Sequence, residues 1–174
     1  MGWITLTLRK QTLRSALNNK ELQDLEISHQ RRALSRQKSY ENSILSNQQE
    51  SELEMAKQST GYQDARDKYQ ELLASSSDYS DRDSTEYAEY KEALSEAANE
   101  YSLAKSEYDE QRTNIENYYD NEKQELEEES TRKENIFDDE QTEIETQLEA
   151  MRQELESVSQ QISTDIESSA VKFN

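Results

Sequence analysis

The sequence predicts an all-α protein, a long antiparallel helical hairpin of coiled-coil type with Gly61 as the place for a kink. Three observations predict it. The 174 residues include no Pro and only two Gly, Gly2 and Gly61, while helix formers fill the chain. Disordered chains are usually enriched in Pro and Gly. Only 31% of residues are hydrophobic, too few for an ordinary globule, yet many recur in steps of three and four, which suits a narrow helical seam. Finally, a Ser- and Asp-rich stretch from Ala74 to Glu86 separates two helical halves of contrasting charge.

Residues 1–8 form an apolar leader or the start of the first helix. In MGWITLTLRK, Ile4, Leu6 and Leu8 alternate with Trp3, Thr5 and Thr7, a period-2, strand-like rhythm. Leu6 with Leu13 and Leu17 also fits a helical seam, with Thr5 as cap and Trp3 and Ile4 clamping the base of the shaft. The alternative is a sticky strand or anchor for a partner.

Residues 9–74 form the basic-to-polar arm. Its apolar residues, from Leu13 through Leu17, Leu22, Leu25, Ile27 and Leu34 to Leu53 and Met55, sit at mixed helical spacings. Tyr62, Ala65, Tyr69 and Leu72 then return to a strict three-four rhythm. Gly61 between them costs a helix about 1 kcal/mol relative to Ala.

Residues 75–84 are the polar turn. Asp83 with Glu86, or Ser80 with Asp83, offers a variant capping box for the next helix. Asp78 to Glu89 has Asp first and Glu twelfth, as a calcium loop does. However, Arg82 is fifth and Asp83 sixth, where Gly is needed. The expected role is a capped connection, not a metal site.

Residues 85–168 are the acidic arm and 169–174 a tail. Tyr87, Tyr90, Leu94, Ala97, Tyr101, Ala104, Tyr108, Gln111, Ile115 and Tyr118 make one heptad seam. Ile144, Leu148, Met151, Leu155, Val158 and Ile162 make another. Leu126, Ile136 and Phe137 do not continue the first register, which predicts a stutter between the two.

Charge supports the antiparallel pairing. Residues 1–38 carry eight Lys/Arg against three Asp/Glu, whereas residues 122–151 carry twelve Asp/Glu against Lys123, Arg132 and Lys133. A fold about residue 80 brings these stretches together, with facing residue numbers summing to about 160. Tyr69 then falls opposite Tyr90 and Lys91, Leu72 opposite Ala88, and Ala65 opposite Leu94. Ten tyrosines suit a seam wide enough for a third helix or a second copy.

The same composition argues against several functions. There is no Cys, and His29 is the only His, so neither a thiolate metal site nor a catalytic triad can be assembled. No Gly-rich phosphate loop or nucleophile elbow is present. Neither catalysis nor a cofactor is expected. The basic patch around Arg31, Arg32 and Leu34–Lys38 could touch nucleic acid, but the net charge of −19 and the acidic facing arm make intramolecular pairing the preferred reading. No apolar run approaches the roughly 18 residues that span a bilayer, and the opening does not read as a signal peptide.

The opening MGWITLTLRKQTLRSALNNKELQDLEISHQRRAL resembles the start of short helical proteins of crAss-like tailed phages, in which W-x-T-L-T-L-R-K leads into a long polar helix. The ending IETQLEAMRQELESVSQQISTDIESSAVKFN is similar to their closing coiled-coil segment, through Glu167, Ser168, Ser169, Lys172 and Phe173. The likeness covers the two ends and not the tyrosine-rich middle. It implies a phage-encoded structural or accessory protein and carries over no binding residue. The expectation is a non-enzymatic helical rod that self-associates or docks on other structural proteins, as a virion component or assembly factor in the cytoplasm of a bacterial host. Candidate contact residues are Trp3, Ile4, Leu6, Leu8, Tyr87, Tyr90, Tyr101, Tyr108 and Phe173. Two alternatives are a type III secretion-like stalk or chaperone and a secreted filament subunit.

Overall fold

The computed structural model describes residues 2–79 and 82–171. It consists of α1 (Trp3–Ser59), α2 (Tyr62–Ala74), a 3-10 turn at Ser75–Asp78, and α3 (Thr85–Val171). The all-α hairpin expected from the sequence is what forms, and no strand occurs among the described residues.

The opening is helical. The carbonyl of Gly2 accepts bonds from the amides of Thr5 at 2.9 Å and Leu6 at 3.4 Å. Thr5 therefore lies inside the first turn and does not cap a helix starting at Leu6. At Gly61 the helix is interrupted, not merely bent. Gly61 adopts φ 63°, its amide donates to the Gln58 carbonyl at 3.1 Å, and its own carbonyl accepts from the Ala65 amide at 3.0 Å. This is the left-handed conformation that ends one helix, and Gly adopts it without a Cβ penalty. α3 is capped by Ser84, whose Oγ accepts from the Tyr87 amide at 3.2 Å. Ser84, one residue after Asp83, thus holds the cap position, and the Ser80 of the other expected box lies outside the described residues. α3 continues through Val171, so part of the expected tail is helical.

The chain divides into two compact units. Unit 1 comprises residues 1–39 and 127–174, and unit 2 comprises residues 40–126. In unit 1, Ile27, Ile144 and Leu148 form a buried cluster, with Leu17 and Phe137 packed against it. The inner face of α1 here runs Leu6, Lys10, Leu13, Leu17, Lys20, Asp24, Ile27, Arg31, Leu34 and Lys38, all buried or half-buried. That is a regular heptad in which half the positions are polar. α3 answers with opposite charge. Lys38 pairs with Glu127 at 2.6 Å, Arg31 with Asp138, and Arg9 with Glu154, while Glu21 pairs with Arg152 at 3.1 Å. The expected charge match between the arms is thus made by particular pairs.

In unit 2, tyrosines from α2 and α3 alternate in one ladder. Tyr69 stacks on Tyr101 at 5.7 Å, Tyr101 meets Tyr62 at 5.9 Å, and Tyr62 stacks on Tyr108 at 4.8 Å. Ala97 and Ala104 are buried on the same side of α3. Nearer the turn, Tyr79 stacks on Tyr90 at 4.5 Å, and the buried Tyr90 donates its hydroxyl to the Leu72 carbonyl at 3.0 Å. Lys68 pairs with Glu100 at 2.7 Å, and Lys123 donates to Gln49 at 2.8 Å.

The antiparallel sense is as expected, but the register is not. Facing partners have residue numbers summing to between 162, for Leu72 with Tyr90, and 173, for Glu21 with Arg152, all above the expected 160. Tyr69 therefore meets Tyr101, not Tyr90. The 3-10 turn carries the first arm on to Asp78 and α3 starts only at Thr85, so the connection is centred later than residue 80. Long Arg, Glu and Tyr side chains reaching one helical turn along the axis account for the rest.

The stutter also takes a definite form. Ala104, Ile115, Leu126, Phe137 and Leu148, spaced by eleven, are all buried or half-buried, as are Tyr108, Tyr119 and Ser130. Eleven residues over three turns is 3.67 per turn, close to an unstrained helix. The buried tyrosine is consequently Tyr119, whereas Tyr118 is 55% exposed and Gln111 is exposed.

Candidate functional site

A two-helix pair covers only a narrow face of each helix. Neighbouring residues on a helix point about 100° apart, so where two adjacent residues are apolar only one enters the seam. Ala56 is buried and Met55 exposed, Tyr119 is buried and Tyr118 exposed, and Phe137 is half-buried beside the exposed Ile136. The excluded members of these pairs belong to the apolar surface of the protein, which also includes Trp3, Ile4, Leu8, Leu22, Leu25, Tyr40, Ile44, Leu73, Leu103 and Ile166.

The opening of α1 in unit 1 has the densest such cluster. Trp3 is 56% exposed, and Ile4 and Leu8 are each 60% exposed. Ile4 and Leu8 are one helical turn apart and share a face. Leu6 between them is buried on the inner face of α1, and beside it lies a shallow cleft lined by Ser157, Gln160, Gln161, Thr164 and Asp165. Trp3 and Ile4 are each more than half exposed and do not clamp the shaft; Ile4 lies on the side opposite Leu6, and Trp3 at the end of the inner face. From Trp3 to Lys20 the helix carries Arg9, Lys10, Arg14 and Lys20 and no acidic residue.

Of the tyrosines expected at a partner surface, Tyr90 is buried, and Tyr87, Tyr101 and Tyr108 are half-buried in ring contacts. They build the hairpin and offer at most their edges. Phe173 lies outside the described residues.

Unit 2 holds an open groove that the sequence alone did not single out. It is lined by Leu45, Gln48, Ser51, Glu52, Met55, Tyr118 and Tyr119. A second concavity shares Ser51 and Met55 and adds Asn47, Glu50, Glu54 and Gln58. The groove floor is fixed by Tyr119, whose hydroxyl donates to Glu52 Oε1 at 2.9 Å. Burial, and then that bond to Glu52, raises the Tyr119 phenol above its ordinary 10.0. The adjacent apolar pairs Ile44–Leu45, Met55–Ala56 and Tyr118–Tyr119 were the signal that would have found this groove.

No group of metal-ligating side chains occurs among the described residues, and no helix is long and apolar enough to cross a membrane. No protein-family model, curated protein or solved structure matches the chain.

Proposed function

We propose that this chain is a non-enzymatic structural or interaction protein, a helical hairpin that docks on or assembles into a larger particle. The observation that carries the reading is the exposure of Trp3, Ile4 and Leu8 on a regular helix whose other face is already packed. Large apolar side chains clustered in water are a cost unless a partner covers them. The grooves on the hairpin are open and shallow, which suits a protein surface better than an enclosed small substrate. The resemblance of the two ends to helical proteins of crAss-like phages supports a virion component or assembly factor made in a bacterial host. Nucleic acid is the less favoured partner, because three cations of the basic stretch, Arg9, Arg31 and Lys38, already pair with α3.

Mass spectrometry of density-gradient-purified particles tests this. The chain is expected at a fixed ratio to the other structural proteins of virions or of assembly intermediates. Its absence from both overturns the proposal.

A further inference from the structure

Deepening the proposed function, and resting on it, we infer that one occupant of the unit 2 groove is a second copy of this chain, which inserts the opening of its α1. The anchors are Trp3, Ile4 and Leu8, and the receiving surface is Leu45, Met55 and Tyr118.

Apolar anchors at i and i+4, flanked by an aromatic ring, are what a helix offers to a groove on another helix pair. The groove supplies the complement: an exposed thioether beside an exposed phenol ring, with Met55 and Tyr118 left outside the hairpin seam. Met adapts its shape to an incoming aromatic ring.

Charge points the same way. The inserting segment from Trp3 to Lys20 has four cations and no anion. Lys10 and Arg14 make no ion pair with the described residues of their own chain. On the receiving side Glu50 and Glu54 lie one helical turn apart on α1, Glu54 also pairing with Lys57 at 2.9 Å, and Glu52, which accepts from Tyr119, lies on the other side of Met55. In a chain of net charge −19, the opening of α1 is therefore an acid-free segment suited to this acidic rim. Complementarity of this kind raises the encounter rate and fixes orientation.

Anchor and groove are different surfaces of the same chain. The contact is heterologous, so each copy that donates its opening still presents a free groove, and association proceeds beyond a dimer, to a closed ring or an open chain. The competing occupancy is α1 against α1 of a second copy through the exposed Leu22 and Leu25. Neither leucine lines the unit 1 cleft formed by Gln23, Glu26, Ile27, Gln30, Glu140 and Ile144.

Trp3 is the only tryptophan, so it reports its own docking. With the full chain, its emission is expected to move to the blue and its quenching by acrylamide to fall several-fold as protein concentration rises. Sedimentation should show masses above that of a dimer, and added salt should reverse both effects. The doubly substituted Met55→Ser/Tyr118→Ser chain should keep its helical circular dichroism and lose the shift. Complementation is the decisive arm. Trp3→Ala chains (intact groove) and Met55→Ser/Tyr118→Ser chains (intact anchor) should not extend alone. Mixed, they should form a one-to-one pair in which the remaining Trp3 shifts. A wild-type chain whose emission is independent of concentration overturns the inference. So does a shift that survives the groove substitutions, or one abolished by Leu22→Ser/Leu25→Ser, which would mean α1–α1 pairing. A chain that stays monomeric yet bands with particles refutes self-docking and leaves the proposed function standing.

Discussion

The eleven-residue spacing in the middle of α3 makes a prediction opposite to that of an uninterrupted heptad. Carried forward unbroken, the seam through Tyr101 and Tyr108 would reach Ile136 and leave Phe137 outside. In the structure Ile136 is 55% exposed, and Phe137 packs on Ile27, Ile144 and Leu148. Truncating a fully buried Phe to Ala costs about 3–5 kcal/mol. Phe137 is half-buried, which scales this to about 2 kcal/mol, and the better helix propensity of Ala returns up to ~0.5 kcal/mol. Phe137→Ala should therefore destabilise unit 1 by about 1.5–2 kcal/mol. Ile136→Ala loses little burial and gains the same propensity, so it should fall within ~0.5 kcal/mol of zero. Native-state hydrogen exchange of the α3 amides on either side of residue 137 reads the difference locally. Urea denaturation followed by circular dichroism reads it globally. A larger cost for Ile136→Ala than for Phe137→Ala would refute the eleven-residue register.

Gly61→Ala should destabilise by about 1–2 kcal/mol, because φ 63° crowds an L side chain; D-Ala at the same position should be neutral or stabilising, and a stabilising L-Ala would show that the break is not required. Raising pH should weaken unit 2 through Tyr119. Its folded phenol titrates above 10.0, so its contribution is fully present below that pH and is lost as pH rises through the folded value; in Tyr119→Phe this part of the alkaline transition should vanish from a thermal melt series. Arg31→Asp and Asp138→Arg should each cost about 1 kcal/mol or less, and the double exchange should recover most of the loss in a double-mutant cycle. Asp24 occupies a seam position with Oδ1 enclosed and no hydrogen-bond partner among the described residues; Asp24→Leu should raise the urea midpoint, by about 1–3 kcal/mol in stability.

What could be read from the sequence depended on which residues occupy the seam. The α2 face and the first part of α3 were legible because Tyr62, Tyr69, Leu94, Ala97 and Tyr101 are apolar at every step. The first arm looked irregular because its inner face alternates Leu6, Leu13, Ile27 and Leu34 with Lys10, Asp24, Arg31 and Lys38. A search for apolar spacing passes over the charged half of that heptad, although those charges are fixed by partners on α3 such as Glu127 and Asp138. Leu126 and Phe137 looked out of register because a period of seven was imposed on residues that follow eleven. The register offset arose where local rules are weakest, in a polar connection that spends four residues in a 3-10 turn before α3 begins.

The candidate surface was half legible for a related reason. Apolar residues in a sequence do not declare which partner they will cover, and the tyrosines expected outside mostly went inside. Tyr101 is shared between Tyr62 and Tyr69, and Tyr90 is used by Leu72 and Tyr79, so neither can be withdrawn for a partner without opening the hairpin. The opposite holds for Trp3, Ile4, Leu8, Met55 and Tyr118. Each lies beside a residue that is already buried or half-buried in its helix pair, or at an end where the pair offers no cover. Only one member of two adjacent apolar residues can face a single neighbouring helix, so the second adds nothing to the isolated hairpin and costs exposure to water. An assembly in which another surface covers these second members turns that cost into binding energy. Under the proposed function, these second members are the residues that association would cover.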